Sequence, residues 1–355
     1  MIDRSRLQLV PFDLSHWEIA AVEGRIERHL GRSSLFLKDG IAWVQGSDLT
    51  DGMIGFDIAF AEERSFVGGV FRVQDAENYE EFYLRPHQSG NPDANQYSPV
   101  FNGLSGWQLY HGDGYSAPVT YRFNEWLHVE VVFSSSAAEV YIDDLEQPAL
   151  LIHELKREPA PGRVGLSSGK FGAAHFSRFS YAAVDGLALR AGSERRAPAP
   201  AGTVTSWRVS GTFPEASLRR KLSLAADEGK NLAWSRLECE ETGLANLARL
   251  HGIGMRNNTV FARKTIVSQS EQVKKLSFGF SDRIMVYFNG RLIYRGDDTY
   301  RSRDYRFLGS IGFYDALYLP LVKGDNELWM AVSESLGGWG LQARFEDLTG
   351  IELVD

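Results

Sequence analysis

Strict alternation of apolar and polar residues over short segments is the feature that most constrains the fold of this chain. The segment MIGFDIAF (53–60) places Ile54, Phe56 and Ile58 on one side, and LHVEVVF (127–133) repeats the pattern. Three later segments follow the same rule: KKLSFGF (274–280), IMVYFNG (284–290) and ELWMAV (327–332). Because successive side chains of a strand point to opposite faces, a period of two predicts half-buried β-strands.

Amphipathic helices are scarce by comparison. Only the segments 241–252 and 214–224 could hold a few helical turns. Gly, Asn and Asp separate the strand segments at short intervals, and Asn289–Gly290 suits a type I′ hairpin turn. Many short strands joined by turns predict an all-β chain built of β-sandwich or jelly-roll domains.

A chain of 355 residues is long enough for two domains. The segment RAGSERRAPAPAG (190–202) is small, charged and rich in Pro and Ala, so it cannot bury enough apolar surface to order itself. We therefore predict a first domain over residues 1–188, a linker over 189–203 and a second domain over 204–355.

Charge and cysteine content exclude several function classes. The net charge is −8, which argues against nucleic acid as a partner. The single cysteine, Cys239, excludes an intrachain disulfide and a zinc site with several thiolates. The sequence contains no apolar run long enough for a membrane span. Its start, MIDRSRLQLVPFD, does not resemble a signal peptide, which predicts a cytoplasmic protein, or a periplasmic or secreted one if a leader has been removed.

The segment NYEEFYLRPHQSG (78–90) contains the strongest candidates for binding. Alternation places Glu80, Phe82 and Leu84 on one face of a strand. The opposite face then carries Tyr79, Glu81, Tyr83, Arg85 and His87, and nearby segments add Arg72, Tyr97, Trp107, Tyr110 and His111. A sugar ring offers C–H groups to aromatic rings and hydroxyls to charged groups, so this mixture predicts a carbohydrate ligand. The alternative is a solvated face on which Glu81 and Arg85 pair with each other.

In the second half, the segment 296–315 mixes arginines with tyrosines. The candidates there are Tyr300, Arg301, Arg303 and Asp304, which could bind hydroxyls or a carboxylate. The alternative is an Arg–Asp network that fixes a long loop to the sandwich. Trp339, on a glycine-rich turn, is either an exposed platform or, as we favour, a buried plug.

Calcium is the one cofactor that the acidic residues could hold, in a structural role. Asp297, Asp298 and Asp304, or Asp143 and Asp144, supply oxygen ligands, but no EF-hand spacing is present. Adjacent aspartates in a hairpin are usually turn formers. The histidines show no spacing typical of a two-histidine metal site, and His128 is interpreted as an ordinary outward strand residue.

Five segments within residues 34–182 resemble the concanavalin-A-like sandwiches of the laminin-G and glucanase type. They are DLTDGMIGFDIAF, FVGGVFRVQDAENYEEFYLRPH, NEWLHVEVVF, AEVYIDD and GRVGL. The likeness is greatest to the branch that includes bacterial keto-disaccharide hydrolase domains. The resemblance implies a sandwich fold and the alternative function of a glycoside hydrolase or lyase on a keto- or acidic glycoside. The Glu-x-Asp-x-x-Glu strand of the glucanases is missing, so no catalytic residue is assigned.

Residues 258–345 resemble the galactose-binding-domain-like jelly rolls attached to many glycosidases. The segments that carry the likeness are KKLSFGFSDRIMVYFNGRLIYRG and GDNELWMAVSESLGGWG. Members of that group bind glycans, act as spacers or hold a structural calcium ion, and fold alone does not choose among these. The sequence thus predicts a two-domain carbohydrate-binding protein. The further alternative is a non-catalytic scaffold that assembles with a protein partner or with itself.

Overall fold

The computed structural model describes residues 3–184, 186–193 and 199–355. The chain divides into two compact units. The first contains Met1–Val100 and Tyr110–Arg195, and the second contains Phe101–Leu109 and Arg196–Asp355. Residues 194–198 of the predicted linker lie outside the described residues, and the predicted domain boundaries stay a prediction.

The described residues form strands joined by turns and short 3₁₀ helices. The strands of the first unit are β1 (Gln8–Leu9), β2 (Trp17–His29), β3 (Arg32–Val44), β4 (Gly52–Ala59), β5 (Val67–Asp75), β6 (Asn78–Leu84), β7 (Asn95–Phe101), β9 (Leu127–Ser134), β10 (Ala137–Ile142), β11 (Leu150–Ile152), β12 (Arg163–Ser168) and β13 (Ala174–Ala183). Those of the second unit are β8 (Leu104–Ser105), β14 (Ser206–Ser210), β15 (Trp234–Glu238), β16 (Ala245–Asn246), β17 (Thr259–Ser268), β18 (Gln272–Ser281), β19 (Arg283–Phe288), β20 (Arg291–Asp297), β21 (Asp315–Leu321), β22 (Gly324–Ser333), β23 (Gly340–Phe345) and β24 (Ile351–Val354).

The 3₁₀ helices are all short: Arg4–Arg6, Pro86–Gln88, Ala191–Ser193, Glu215–Leu218 and Leu247–Arg249. The all-β fold class is therefore confirmed. The two segments considered for helical turns each contain a single 3₁₀ turn. No helix in the described part of the chain is long and apolar enough to cross a membrane.

Strand β3 connects the two layers of the first unit. Its first part, Leu35–Leu37, pairs with β13, and its second part, Gly40–Trp43, pairs with β12. The order is β11-β10-β9-β4-β13 on one side of β3 and β12-β5-β6-β7 on the other, and all of these pairs are antiparallel. The chain turns at Asp39 and Gly40, where a Cβ on Gly40 would lie 2.3 Å from the Ala20 carbonyl oxygen. One long strand thus belongs to both layers of a sandwich.

The core of the first unit lies between these layers. Phe71 of β5 stacks on Phe133 of β9 with ring centroids 4.6 Å apart. Ile54, Phe56 and Ile58 are fully buried, as the alternation in β4 predicts. Met53, Gly55 and Asp57 of the same strand therefore face away from this core.

Part of that outer face of β4 is covered by chain segments near both ends of the unit. Met53, Val132 and Tyr141 form a small apolar cluster there, against which Leu7 and Leu187 pack. The outer face is therefore apolar at one end of β4. At the other end, around Asp57, it carries charged and aromatic side chains.

The second unit consists of two sheets around its own core. One sheet has the order β15-β14-β17-β22-β19-β20, with β24 paired to β17, and the other has the order β16-β23-β18-β21. Trp207, Phe278 and Trp339 are buried in the core, and the Trp339 indole donates to the Val332 carbonyl over 3.1 Å. Trp339 is thus the buried plug that we favoured. Asn289 and Gly290 both have positive φ and join β19 to β20 as a hairpin.

Candidate functional site

The predicted binding face of β6 leads into a closed set of hydrogen bonds, which we call the Arg85 network: Tyr83, Arg85 and Gln96. The Arg85 guanidinium donates to the Tyr83 hydroxyl over 3.0 Å and to the Gln96 side-chain oxygen. It also donates to the Asp93 carbonyl over 3.0 Å. Tyr83 donates to the same Gln96 oxygen over 2.9 Å. All three side chains are buried, so a ligand at this position would have to replace bonds that the protein already makes.

Tyr79 and Glu81 lie on the same face of β6 as Tyr83. Tyr79 packs against the apolar side chains Ile41, Trp43, Val70 and Val73. The strand register sets Glu81 between Val70 of β5 and Ser98 of β7. The alternation predicted for β6 therefore holds, and Glu80, Phe82 and Leu84 on its other face are fully buried.

Arg72 is engaged in holding two loops. Its guanidinium donates to the carbonyls of Thr50 and Ser135, both over 2.7 Å, and it lies 3.2 Å from the Asp51 carboxylate. The side chain is 1% exposed. These contacts give Arg72 a structural role, and they leave only its Nη1 without a partner among the described residues.

Two further predicted residues do not join the Arg85 network. Tyr97 is buried, donates from its hydroxyl to Glu80 and accepts from the Lys156 backbone N–H over 2.7 Å. Trp107 belongs to the second unit, where it lies directly against Gly337, because a Cβ on that glycine would lie 1.8 Å from the indole nitrogen.

The remaining predicted residues of the first unit follow β6 in the chain. The His87 ring lies 5.3 Å from that of Phe66, and burial lowers its pKa. Tyr110 is buried, and its carbonyl accepts from the Gln96 amide. His111 is exposed.

Glu80, on the interior face of β6, has a strongly perturbed pKa. Burial raises its pKa to about 7, against the opposing effects of the Tyr97 hydrogen bond and the positive charges of Arg72 and Arg157. It faces the interior of the sandwich, on the side of β6 away from Tyr83. A ligand on the predicted face would therefore not reach it.

The arginine-rich loop of the second unit is fixed by ion pairs. Arg303 donates to the carboxylates of Asp298 and Asp315, which joins the two ends of the loop. Asp304 pairs with Arg306 over 2.9 Å. The Arg301 guanidinium lies 4.8 Å from the centre of the Tyr300 ring. These contacts are those of the Arg–Asp network that we gave as the alternative to a binding loop.

The aspartates considered as calcium ligands also have protein partners. Asp144 accepts hydrogen bonds from two backbone N–H groups of its own turn, those of Glu146 and Gln147. Asp143 accepts from the Arg122 guanidinium over 2.7 Å. Within residues 3–184, 186–193 and 199–355, no three His, Cys, Asp or Glu side chains are grouped so that they could hold a metal ion.

A second group of charged and aromatic side chains lies on the outer face of β4, on the layer that does not contain β6. We call it the Asp57 cluster: Arg32, Asp57, Trp126, His128 and Glu130. The register sets Asp57 beside His128 of β9. Arg32 donates to Asp57, and its guanidinium carbon lies 5.1 Å from the centre of the Trp126 ring. The side chains of Arg32 and His128 are 30% and 34% exposed, so the cluster is half open to solvent.

His128 lies between two carboxylates. Its Nδ1 is 2.6 Å from Asp57 Oδ1, and its Nε2 is 3.3 Å from Glu130 Oε1. Although burial lowers the pKa of His128, hydrogen bonds to Asp57 and Glu130 raise it to about 9. The imidazole is therefore protonated at neutral pH and donates to both carboxylates.

A row of rings continues from the Asp57 cluster. The ring centroids of His29 and Trp126 are 5.9 Å apart in an edge-to-face arrangement. His29 stacks on His175 with ring centroids 3.6 Å apart and planes 5° apart. The Phe36 ring lies 5.0 Å from His175. Burial, and then the neighbouring His175, lowers the pKa of His29. Three further rings, those of His29, His175 and Phe36, therefore adjoin the Asp57 cluster.

The interpretation of His128 as an ordinary outward residue missed this cluster. It does point outward, but it is bonded on both sides. The available signal was a charged residue, Asp57, within an otherwise apolar strand, together with His128 and Glu130 at alternate positions of another outward face. The pairing of β4 with β9 could not be deduced from either segment alone.

No protein-family model matches the sequence, and no curated protein sequence matches it. Solved structures with partial similarity include the carbohydrate-binding module CBM66 from Bacillus subtilis, at 15% identity and a TM-score of 0.37, over 47% of this chain and 96% of that one. A protein of unknown function with a galectin-like fold from Bacillus subtilis matches at 10% identity and a TM-score of 0.37, over 48% of this chain and 90% of that one.

The β-glucanase of Bacillus licheniformis matches at 11% identity and a TM-score of 0.35, over 51% of this chain and 99% of that one. At such TM-scores these likenesses carry no argument about what this chain does.

Proposed function

We propose that the first unit binds carbohydrate on the outer sheet face that carries the Asp57 cluster. A pyranose ring requires an aromatic surface for its C–H groups and fixed donors and acceptors for its hydroxyls. The observation that carries the proposal is the partly exposed Arg32 guanidinium over the Trp126 ring, with the partly exposed His128 bonded to the same Asp57 carboxylate.

The polar groups of the cluster are held in place before any ligand arrives. Asp57 fixes Arg32 on one side and His128 on the other. The Trp126 indole donates to the Leu30 carbonyl over 3.3 Å, which fixes the ring. Binding would therefore order few side chains, and preorganisation of this kind favours affinity.

The face of β6, which the sequence favoured, is the weaker site for this ligand. Its Tyr83 hydroxyl and Arg85 guanidinium are buried and bonded within the Arg85 network. The Asp57 cluster offers the same chemistry with more exposed atoms. We therefore assign the carbohydrate ligand to Trp126, Arg32 and His128.

A glycan array with three proteins tests this assignment. The wild type should bind a defined set of glycans. Trp126→Ala should weaken that binding about tenfold, because a stacked ring contributes about 1 kcal/mol or more to such contacts. Tyr83→Phe removes one hydroxyl from the Arg85 network and serves as the matched control, which should bind like the wild type.

The pattern across the array separates the outcomes. Loss of binding in Tyr83→Phe but not in Trp126→Ala would move the ligand to the β6 face. Silence of the wild type across neutral and acidic glycans would remove the carbohydrate proposal and favour the scaffold alternative. Circular dichroism of each variant checks that its fold is retained.

Glycoside hydrolysis is a second candidate, because it uses two carboxyl groups on either side of the scissile bond, and the carboxylates of Asp57 and Glu130 lie on either side of His128. His128 is protonated at neutral pH and lies 2.6 Å from Asp57. Incubation with the glycans bound on the array, followed by a reducing-end assay, tests it. If product forms, His128→Gln should abolish its release; if no product forms from any bound glycan, the hydrolase candidate falls.

A further inference from the structure

Strand β2 of the first unit has an open edge. It runs over 13 residues, Trp17–His29, and among the described residues its only strand partner is β3. The residues from Val22 to Arg25 are all exposed. An edge strand of this length presents a row of backbone N–H and C=O groups to which another chain can add.

Edge strands are usually protected against such pairing, and β2 lacks the common protections. It contains no proline, and its register with β3 does not shift along the strand. The charges near its centre alternate in sign, as Glu23, Arg25 and Glu27. A row of one sign repels a second copy of itself, whereas a row of alternating sign can pair with one.

Apolar side chains are exposed along the same strand. Val22 is 73% exposed and Ile26 is 37% exposed. Because side chains alternate between the two faces of a strand, Ile26 lies on one face, and Arg25 and Glu27 lie on the other. The edge therefore combines an apolar face with a face of alternating charge.

The turn after β2 determines which of its backbone groups point to the open edge. Leu30 and Gly31 both have positive φ and join His29 to its pairing partner Arg32, as in a type I′ hairpin. In such a hairpin the flanking pair bonds to each other, so every second residue counted back from His29 bonds to β3. The residues between them direct their backbone groups to the open edge: Gly24, Ile26 and Arg28.

A second copy of the strand fits this edge when Ile26 lies on the two-fold axis. Antiparallel pairing about that point sets Ile26 opposite Ile26 of the second copy, and Gly24 opposite Arg28. These are the residues whose backbone groups point outward, so they form the hydrogen-bonded pairs. Arg25 then lies opposite Glu27 of the second copy, and symmetry repeats this pair on the other side of the axis.

Pairing centred on Gly24 would also oppose charges of unlike sign, but it is less favourable. It would extend past Val22, which lies opposite Asp39, where the pairing of β2 with β3 is interrupted and φ is positive. Pairing about Ile26 stays within residues 23–29, where β2 pairs with β3 without interruption.

We propose that the first unit forms a symmetric dimer through β2, with two copies of the strand paired antiparallel about Ile26. Main-chain hydrogen bonds supply the affinity, and the Arg25–Glu27 pairs fix the register. A second copy is favoured over another extended peptide because one segment, residues 23–29, supplies both members of every pair. The dimer does not depend on the carbohydrate function proposed for the Asp57 cluster.

Sedimentation velocity of the full chain tests the proposal. Between about 1 µM and about 300 µM, the sedimentation coefficient should rise from that of a monomer towards that of a dimer, because strand addition of this extent gives a dissociation constant in the micromolar range.

Charge reversal tests the register. Arg25→Glu places like charges opposite each other on both sides of the axis, so it should raise the dissociation constant at least about tenfold. Arg28→Glu makes the same change of charge on the same strand, but it lies opposite Gly24 of the second copy and should dimerise like the wild type. The double variant Arg25→Glu/Glu27→Arg restores unlike charges across the axis and should recover dimerisation.

Ile26→Pro tests the backbone pairing. The Ile26 N–H points to the open edge, so proline there removes bonds of the dimer and none to β3. The variant should be monomeric over the whole concentration range, with the circular dichroism spectrum of the wild type.

Three results would each overturn the proposal. They are a wild type that stays monomeric up to about 300 µM, equal dimerisation of Arg25→Glu and Arg28→Glu, and failure of the double variant to recover what Arg25→Glu loses. None of them bears on the glycan array with Trp126→Ala, so failure here is distinct from failure of the function proposed for the first unit.

Discussion

The Arg85 network and the Asp57 cluster are built from the same kinds of side chain, yet they differ in how far their side chains are exposed to solvent. In the first, Arg85 and Tyr83 are each 5% exposed and bond to one another. In the second, Arg32 and His128 keep about a third of their surface in solvent. The difference teaches that residue type and strand face identify a polar group, whereas the partners across neighbouring strands decide whether it can bind a ligand.

The largest expected effect is a difference in the free energy of unfolding between a variant of the Arg85 network and a variant of the Asp57 cluster. Arg85→Ala should lower the free energy of unfolding by about 4 kcal/mol, because it leaves the buried Tyr83 hydroxyl and Gln96 oxygen without their charged donor. Arg32→Ala, at a half-exposed site, should cost about 1 kcal/mol. Urea denaturation measures both values. Equal costs would mean that the Asp57 cluster is as closed as the Arg85 network, and the comparison would fail.

A pH effect of intermediate size should arise from the interior side of β6. Glu80 is fully buried, and its pKa of about 7 in the folded protein exceeds its ordinary value of 4.5. The folded state therefore binds the proton more tightly, so stability should fall as the pH rises from about 4.5 to 7, by about 3 kcal/mol. Glu80→Gln, which cannot ionise, should remove this fall.

The measurement is the free energy of unfolding at pH 5 and pH 8 for wild type and Glu80→Gln. The two proteins should differ least at pH 5, where Glu80 is protonated, and Glu80→Gln should gain on the wild type at pH 8. An unchanged difference between the two pH values would show that Glu80 ionises normally in the folded state.

The smallest effect should come from His128 of the Asp57 cluster, and it should appear over a different pH range. The pKa of His128 is raised from 6.5 to about 9 by its two carboxylate partners, so the stability that it contributes is present below pH 6.5 and is lost as the pH rises through 9. Solvent screening at a side chain that is 34% exposed limits this to about 1 kcal/mol.

His128→Gln should therefore be less stable than the wild type at pH 6 and similar to it at pH 10. Urea denaturation at these two values provides the test. If the His128 effect occurred in the range assigned to Glu80, the carboxylates of Asp57 and Glu130 would not be acting on the imidazole as the distances indicate.

Period-two alternation in the sequence was sufficient for the all-β fold class. Alternation assigned the buried side of β4 through Ile54, Phe56 and Ile58, and the residue pair Asn289–Gly290 marked the hairpin turn. Both depend on contacts between residues close in the chain, where side-chain direction and turn geometry follow from local chemistry.

The candidate sites could not be predicted in the same way, because their members are distant in sequence. Arg32 reaches Asp57 across 25 residues, and Asp57 reaches His128 across 71. Arg303 lies close in sequence to its partners, but its bonds to Asp298 and Asp315 depend on how the loop closes. Strand order and loop closure decide such contacts, and a single sequence does not specify either.

The membership of β3 in both layers of the first unit has a mechanical consequence. Its edge bonds to β13 near Leu35–Leu37 and to β12 near Gly40–Trp43, so neither layer can detach without breaking one half of the same strand. We therefore expect the first unit to melt in one cooperative event, with hydrogen exchange on both halves of β3 reporting a common free energy of opening.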